Sequence, residues 1–76
     1  MNVQQRLGQT IKRLRTQQQL TQEDMAFISG LSLQTISDIE NAKYDPLLNE
    51  LYRIAAVLEM KPSEIVFEME QEIDLP

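Results

Sequence analysis

Apolar residues recur at Val3, Leu7, Ile11 and Leu14, at intervals of four, four and three. Such spacing marks one face of an amphipathic helix, leaving Gln4, Gln5, Gln9, Lys12 and Arg13 outward. Asn2 is its expected cap, and Gln17-Gln18-Gln19 predicts a frayed end and a short loop. Thr21 opens the next element with a capping-box pattern, because Asp24 follows three residues later. Met25, Ala26 and Ile28 form its inner face, and Gly30 stops it in a left-handed conformation that only glycine enters without steric cost.

Ser32 caps a third helix in which Ile36 and Ile39 point inward, while Leu33, Gln34, Ser37 and Asp38 are more exposed. Asn41 is the expected left-handed terminator. Asp45-Pro46 reads as the start of a fourth helix, an Asp cap followed by proline where a missing N–H costs nothing. Its buried stripe is Leu48, Leu51, Ile54, Ala55 and Leu58. Lys61-Pro62-Ser63 punctuates the chain, and Ser63 caps a short fifth helix carrying Ile65 and Val66. The expected fold is all-α, five short helices joined by short turns. None is long enough to be stable alone, so packing must hold them.

Composition narrows the chemistry. A chain of 76 residues, 42% of them apolar, suits one small domain with a single modest core. It contains no cysteine and no histidine, which removes disulfides, thiol nucleophiles, zinc sites and the commonest general base. No catalytic constellation can be assembled, so an enzyme is not expected, and neither is a metal or cofactor. No apolar run approaches a membrane span, and a cytoplasmic protein is expected.

The net charge of −5 argues against a nucleic-acid partner when taken alone. Its distribution points the other way. Glu64, Glu68, Glu70, Glu72 and Asp74 crowd the end, and the body up to Ser63 holds seven acids and seven bases. Arg6, Lys12, Arg13 and Arg15 all precede the first acid. The chain is basic at its start and acidic at its end.

Residues 22–41 hold two short helices around a tight turn at Gly30, with small Ala26 where crossing helices approach closely. This is the geometry of a helix-turn-helix, whose second helix projects its N-terminal residues into a DNA major groove. An ordinary helical hairpin uses the same devices, and spacing alone does not separate the two. The residues themselves add more. Leu20-Thr21-Gln22-Glu23-Asp24-Met25-Ala26, Gly30-Leu31-Ser32 and Ile36-Ser37-Asp38-Ile39-Glu40-Asn41 resemble the signature of the lambda-repressor-like (Cro/repressor, Xre-type) helix-turn-helix family. Pro46, Leu51-Tyr52-Arg53-Ile54-Ala55 and Leu58 are similar to its fourth helix. The resemblance runs from about Leu7 to Val66, which sets a DNA-binding domain over residues 1–66 and an acidic tail over 67–76.

The resemblance implies a five-helix domain that binds double-stranded operator DNA, usually as a dimer. It implies that Gln22 hydrogen-bonds a phosphate at a helix N-terminus, although glutamine also simply suits a helix start. Ser32, Leu33, Gln34, Ser37 and Asp38 would face the bases. Gln34 is the best reader, since a carboxamide pairs bidentately with adenine, and Leu33 would pack on a thymine methyl. Ser32 can cap its helix as well. Asn41 and Lys43 would clamp the backbone, as would Lys12 and Arg13 unless they form an ordinary solvated face. Asp38 is awkward beside phosphates: it accepts from a cytosine amine, discriminates negatively, or pairs with a basic residue of its own chain. Arg15 and Glu40 would form an architectural ion pair, with Arg15 still near a phosphate. Two positions depart from the family pattern. Ala42 stands where glycine is frequent, with Asn41 expected to turn left-handed instead, and Leu47 stands where a small cap is usual, with Asp45 expected to cap.

The tail alternates Phe67, Met69, Gln71, Ile73 and Leu75 with acids at the even positions. That is the period of a strand, which would need a partner such as the same tail of a second subunit. A frayed acidic terminus is the alternative. Two functions follow: a transcriptional regulator acting as a homodimer on a pseudo-palindromic operator, or an antitoxin-like module binding a partner protein through its tail.

Overall fold

The first three helices start where a side chain satisfies a free backbone N–H of the first turn. In the computed structural model, which describes residues 1–73 and side chains to residue 71, the helices are α1 (Val3–Gln17), α2 (Gln22–Ser29), α3 (Leu33–Glu40), α4 (Leu48–Val57) and α5 (Pro62–Ile73). Asn2 Oδ1 accepts from the Gln5 amide at 2.8 Å, and Gln5 Oε1 accepts from the Asn2 amide at 3.0 Å. Thr21 and Asp24 form the same reciprocal pair, at 3.0 and 2.9 Å. The Thr21 backbone N–H, and then its hydroxyl, hold the Asp24 carboxyl below its ordinary pKa. Ser32 Oγ accepts from the Thr35 amide at 3.0 Å.

The fourth helix begins later than expected. Leu47, not Asp45, precedes its first turn, and leucine offers no acceptor. Glu50 instead closes back on the start of the helix, accepting from the Leu47 N–H and the Tyr44 hydroxyl, each at 2.8 Å. A carboxylate in a first turn also complements the helix dipole. The later start leaves Leu48 exposed, so the buried stripe begins at the half-buried Leu51. Val3 and Ile28, assigned to inner faces by their spacing, are exposed as well. Val3 lies in the first turn of α1, and α2 turns Met25, Ala26 and Ser29 inward, so Ile28 falls on another face.

Three helices end in the same way, and none of the three uses glycine. Gln19, Ala42 and Glu59 have φ of 61°, 60° and 57°. Each follows the last helical turn, with its own N–H and that of the next residue bonded back to earlier carbonyls. For α3 these bonds are Ala42 N to Ile39 O at 3.2 Å and Lys43 N to Asp38 O at 2.8 Å, the Schellman arrangement. Asn41 has φ −95°, so the left-handed residue is Ala42 and not the expected Asn41. Only at α2 is the left-handed position a glycine, Gly30 with φ 75°. An L-residue there is strained by about 1 kcal/mol, so Ala42→Gly is expected to raise stability by roughly 0.5–1 kcal/mol in urea unfolding.

Packing places α1 against α3 and α5, and α2 against α3 and α4, while α4 also meets α5. Ile11, Met25, Ile36, Ile39, Ile54, Leu58 and Ile65 fill the centre. Gly8 is part of the reason α1 and α3 fit. A methyl built on it would lie 2.5 Å from the Ile39 carbonyl oxygen and 2.7 Å from that of Glu40.

The strand expected from residue 67 onward is not formed over the described part of the tail. Residues 67–73 continue α5 across the expected boundary at residue 66. Ile65 and Met69, four apart, are both buried, and Glu68 meets Arg13 of α1 at 3.2 Å. A helix satisfies its backbone internally, so this segment needs no second chain. Ser63 consequently lies inside the first turn, behind Pro62, and the Lys61 N–H is met by Glu64 at 2.8 Å. Residues 74–76 of the expected strand lie outside the described residues.

Candidate nucleic-acid interface

Helix α3 has one face in the core and one in solvent, and the interior fixes how it points. Arg15, near the end of α1, grips Glu40 with two bonds, Nε to Oε2 at 2.7 Å and Nη2 to Oε1 at 3.0 Å. Only 9% of the Arg15 side chain and 2% of the Glu40 side chain is exposed. A planar guanidinium suits this two-point grip. Its remaining contact is Nη1 to the Leu20 carbonyl at 2.8 Å. The hydrogen bond to Glu40 is the first cause of a pKa raised above the ordinary arginine value. Gln22, the first residue of α2, donates Nε2 to Glu40 Oε1 at 3.0 Å. Glu40 therefore ties together α1, α2 and α3. Among the described residues no buried side-chain nitrogen or oxygen lacks a partner.

The outer face of α3 carries Ser32, Leu33 and Gln34, all exposed, and the half-buried Ser37 and Asp38. Two hydrogen bonds run along it at one-turn spacing: Gln34 Nε2 to Asp38 Oδ1 at 2.8 Å, and Asn41 Nδ2 to Ser37 Oγ at 3.3 Å. Ser32 Oγ also lies 2.8 Å from Thr35 Oγ1. The five base-facing candidates thus lie on the outer side of α3, polar except at Leu33.

The phosphate candidates divide. Lys43 is exposed at the position following the left-handed Ala42. At the equivalent points after α1 and α4 stand Leu20 and Met60, both packed against the core. Lys43 thus stands in solvent where the two sibling turns place an apolar anchor. Lys12 and Asn41 are exposed, and Gln22 keeps its carboxamide oxygen and one N–H unspent by its bond to Glu40. Arg13 is half-buried and paired with Glu68 of α5. Arg15 is expected near a phosphate, but its side chain is spent inside the fold. The links from Gln22 to Glu40 and from Gln34 to Asp38 are not foreseen by the sequence pattern, although the second has the four-residue spacing of a helical pair.

Residues 11–65 match a helix-turn-helix family model of the Cro/C1 type. The chain belongs to that family. It is 39% identical over 62 residues to the immunity repressor protein of Bacillus phage phi105, a match spanning 82% of this chain and 43% of the repressor. The chain thus spans less than half the length of that relative. A helix-turn-helix-type transcriptional regulator of Methanocaldococcus jannaschii is 44% identical over 55 residues, covering 72% of this chain and 83% of that protein. Among solved structures, the restriction-modification controller protein C.AhdI of Aeromonas hydrophila superposes with a TM-score of 0.79 at 31% identity, over 80% of this chain and 92% of that one. The controller protein C.Esp1396I, as a tetramer in complex with its natural 35 base-pair operator, gives a TM-score of 0.88 at 27% identity over 96% of each chain.

Proposed function

We propose that this Cro/C1-type protein is a sequence-specific regulator of transcription that sets α3 in the major groove of double-stranded DNA. It acts as a homodimer, on half-sites about one helical turn or roughly 34 Å apart. The observation that carries this is the polar outer face of α3, presented by a helix whose inner end is locked through Glu40 to Arg15 and Gln22. Ser32, Leu33, Gln34 and Ser37 read bases, while Gln22, Asn41, Lys43 and Lys12 hold phosphates. With so few basic groups, each monomer binds weakly and pairing supplies tight binding.

Random-site selection on duplex DNA, followed by a salt series, tests this. The expected result is a symmetric consensus whose affinity falls steeply with salt. Lys43→Ala should weaken binding to all sequences alike and reduce the slope of log K against log salt by about 0.9 per protomer. The second reading, a partner-binding module, draws on Val66 and Phe67, which α5 leaves 42% and 57% exposed. Indifference to DNA sequence is the outcome that favours it.

A further inference from the structure

We infer that Asp38 is a positioning residue: through its hydrogen bond it holds the Gln34 carboxamide in the orientation that reads adenine, and so sets base preference at one position of each half-site. The inference rests on the regulator reading above.

Gln34 and Asp38 stand one helical turn apart on the outer face of α3, joined at 2.8 Å. A carboxamide has two orientations, related by a half-turn that exchanges Oε1 and Nε2. A carboxylate only accepts hydrogen bonds. Beside Asp38, therefore, the nitrogen must face Oδ1, since the other orientation opposes two oxygens. Gln34 is exposed, and without this neighbour both orientations are open to it. The nitrogen carries two hydrogens. One is spent on Asp38 and the other remains beside Oε1, so the free edge offers a donor next to an acceptor. That edge complements the N7 acceptor and N6 donor of adenine. Guanine presents O6 and N7, both acceptors, and a fixed Oε1 opposes O6. A carboxamide free to turn can aim its nitrogen at guanine as well.

The carboxylate has a cost that this role accounts for. A negative charge among the DNA-facing side chains is repelled by phosphates. The hydrogen bond that Asp38 accepts comes from a neutral carboxamide, which leaves that charge in place. A group that lowers affinity for every sequence is retained to advantage when it separates right sites from wrong ones.

Random-site selection with the full chain tests this, using wild type, Asp38→Ala, Asp38→Asn, Gln34→Ala and the double substitution Gln34→Ala/Asp38→Ala. Each variant is first melted by circular dichroism to show that it is folded. Wild type should select adenine at one position in each half-site. Asp38→Ala should lower the preference for adenine over guanine there by about tenfold, leaving other positions unchanged. Asp38→Asn removes the charge but can donate as well as accept, so both orientations of Gln34 reopen and the preference should fall as it does in Asp38→Ala. In the Gln34→Ala background, Asp38→Ala should change nothing further at this position.

A preference moved at a different base pair would overturn the inference in favour of direct cytosine contact. A uniform change in affinity with the adenine preference intact would overturn it in favour of a charge effect alone. If wild type selects no consensus, the regulator reading falls and takes this inference with it. A wild-type consensus reproduced unchanged by Asp38→Ala sinks the inference alone.

Discussion

Glu40→Gln is expected to destabilise the fold by about 3 kcal/mol while leaving the selected DNA consensus intact. The Arg15 side chain keeps its charge and, at 9% exposure, has little access to water. Glutamine offers one acceptor where Glu40 now receives three bonds, from Arg15 Nε, Arg15 Nη2 and Gln22 Nε2. Its amide group must also point two hydrogens at a donor. A domain of this size has a total stability of roughly 4–11 kcal/mol, so the loss is a large share of the whole. The melting temperature should fall by roughly 12–24 °C. Arg15→Met combined with Glu40→Leu should cost less than the sum of the two single changes, because no charge is then stranded. A Glu40→Gln protein as stable as wild type but with a new consensus would place Glu40 at the bases and remove its architectural role.

Gly8→Ala sets two effects against each other. Alanine is favoured over glycine inside a helix by about 1 kcal/mol, and α1 would gain that. Against it stands a methyl at 2.5 and 2.7 Å from two carbonyl oxygens of the last turn of α3. Those atoms are backbone and cannot step aside as a flexible side chain does. Relief requires α3 to move off α1, straining the Arg15–Glu40 grip. A net loss of about 1–3 kcal/mol is expected, with DNA affinity reduced as well because α3 shifts. Urea unfolding and a binding titration measure both. A gain in stability with unchanged affinity would show that α1 and α3 do not approach as closely as described.

How much of this was legible in the sequence depended on how local its cause was. The Thr21–Asp24 pair and Gly30 declare themselves within a few residues, because capping and left-handed turns are short-range chemistry. Residues 67–73 misled, since alternation over seven positions also accommodates the four-residue step from Ile65 to Met69, and only the face of α1 decides between them. The ends of α1 and α3 were placed to within a residue or two, but the left-handed positions at Gln19, Ala42 and Glu59 were not identified, because none of them is the usual glycine. Gly8 was a findable signal: a glycine in mid-helix beside the buried Leu7 is costly unless something approaches it. For the interface, Ser32, Leu33, Gln34, Ser37 and Asp38 were readable as the side of the helix turned from the core. That Arg15 and Arg13 are paired within the fold depends on Glu40 and Glu68. The first pair, 25 positions apart, came from the family resemblance and not from any local pattern, while the second, 55 positions apart, had no signal in the sequence.

Because the aim of α3 is set from inside, by Gly8 and by the Arg15–Glu40–Gln22 tie, its outward side chains carry almost none of the fold's weight. On the proposed regulator reading, a duplicated gene that exchanged Leu33, Gln34 and Ser37 would acquire a different set of target sites in a few steps, each intermediate still a folded protein. Retargeting of that kind stays open to a lineage for as long as the hidden anchors do not change.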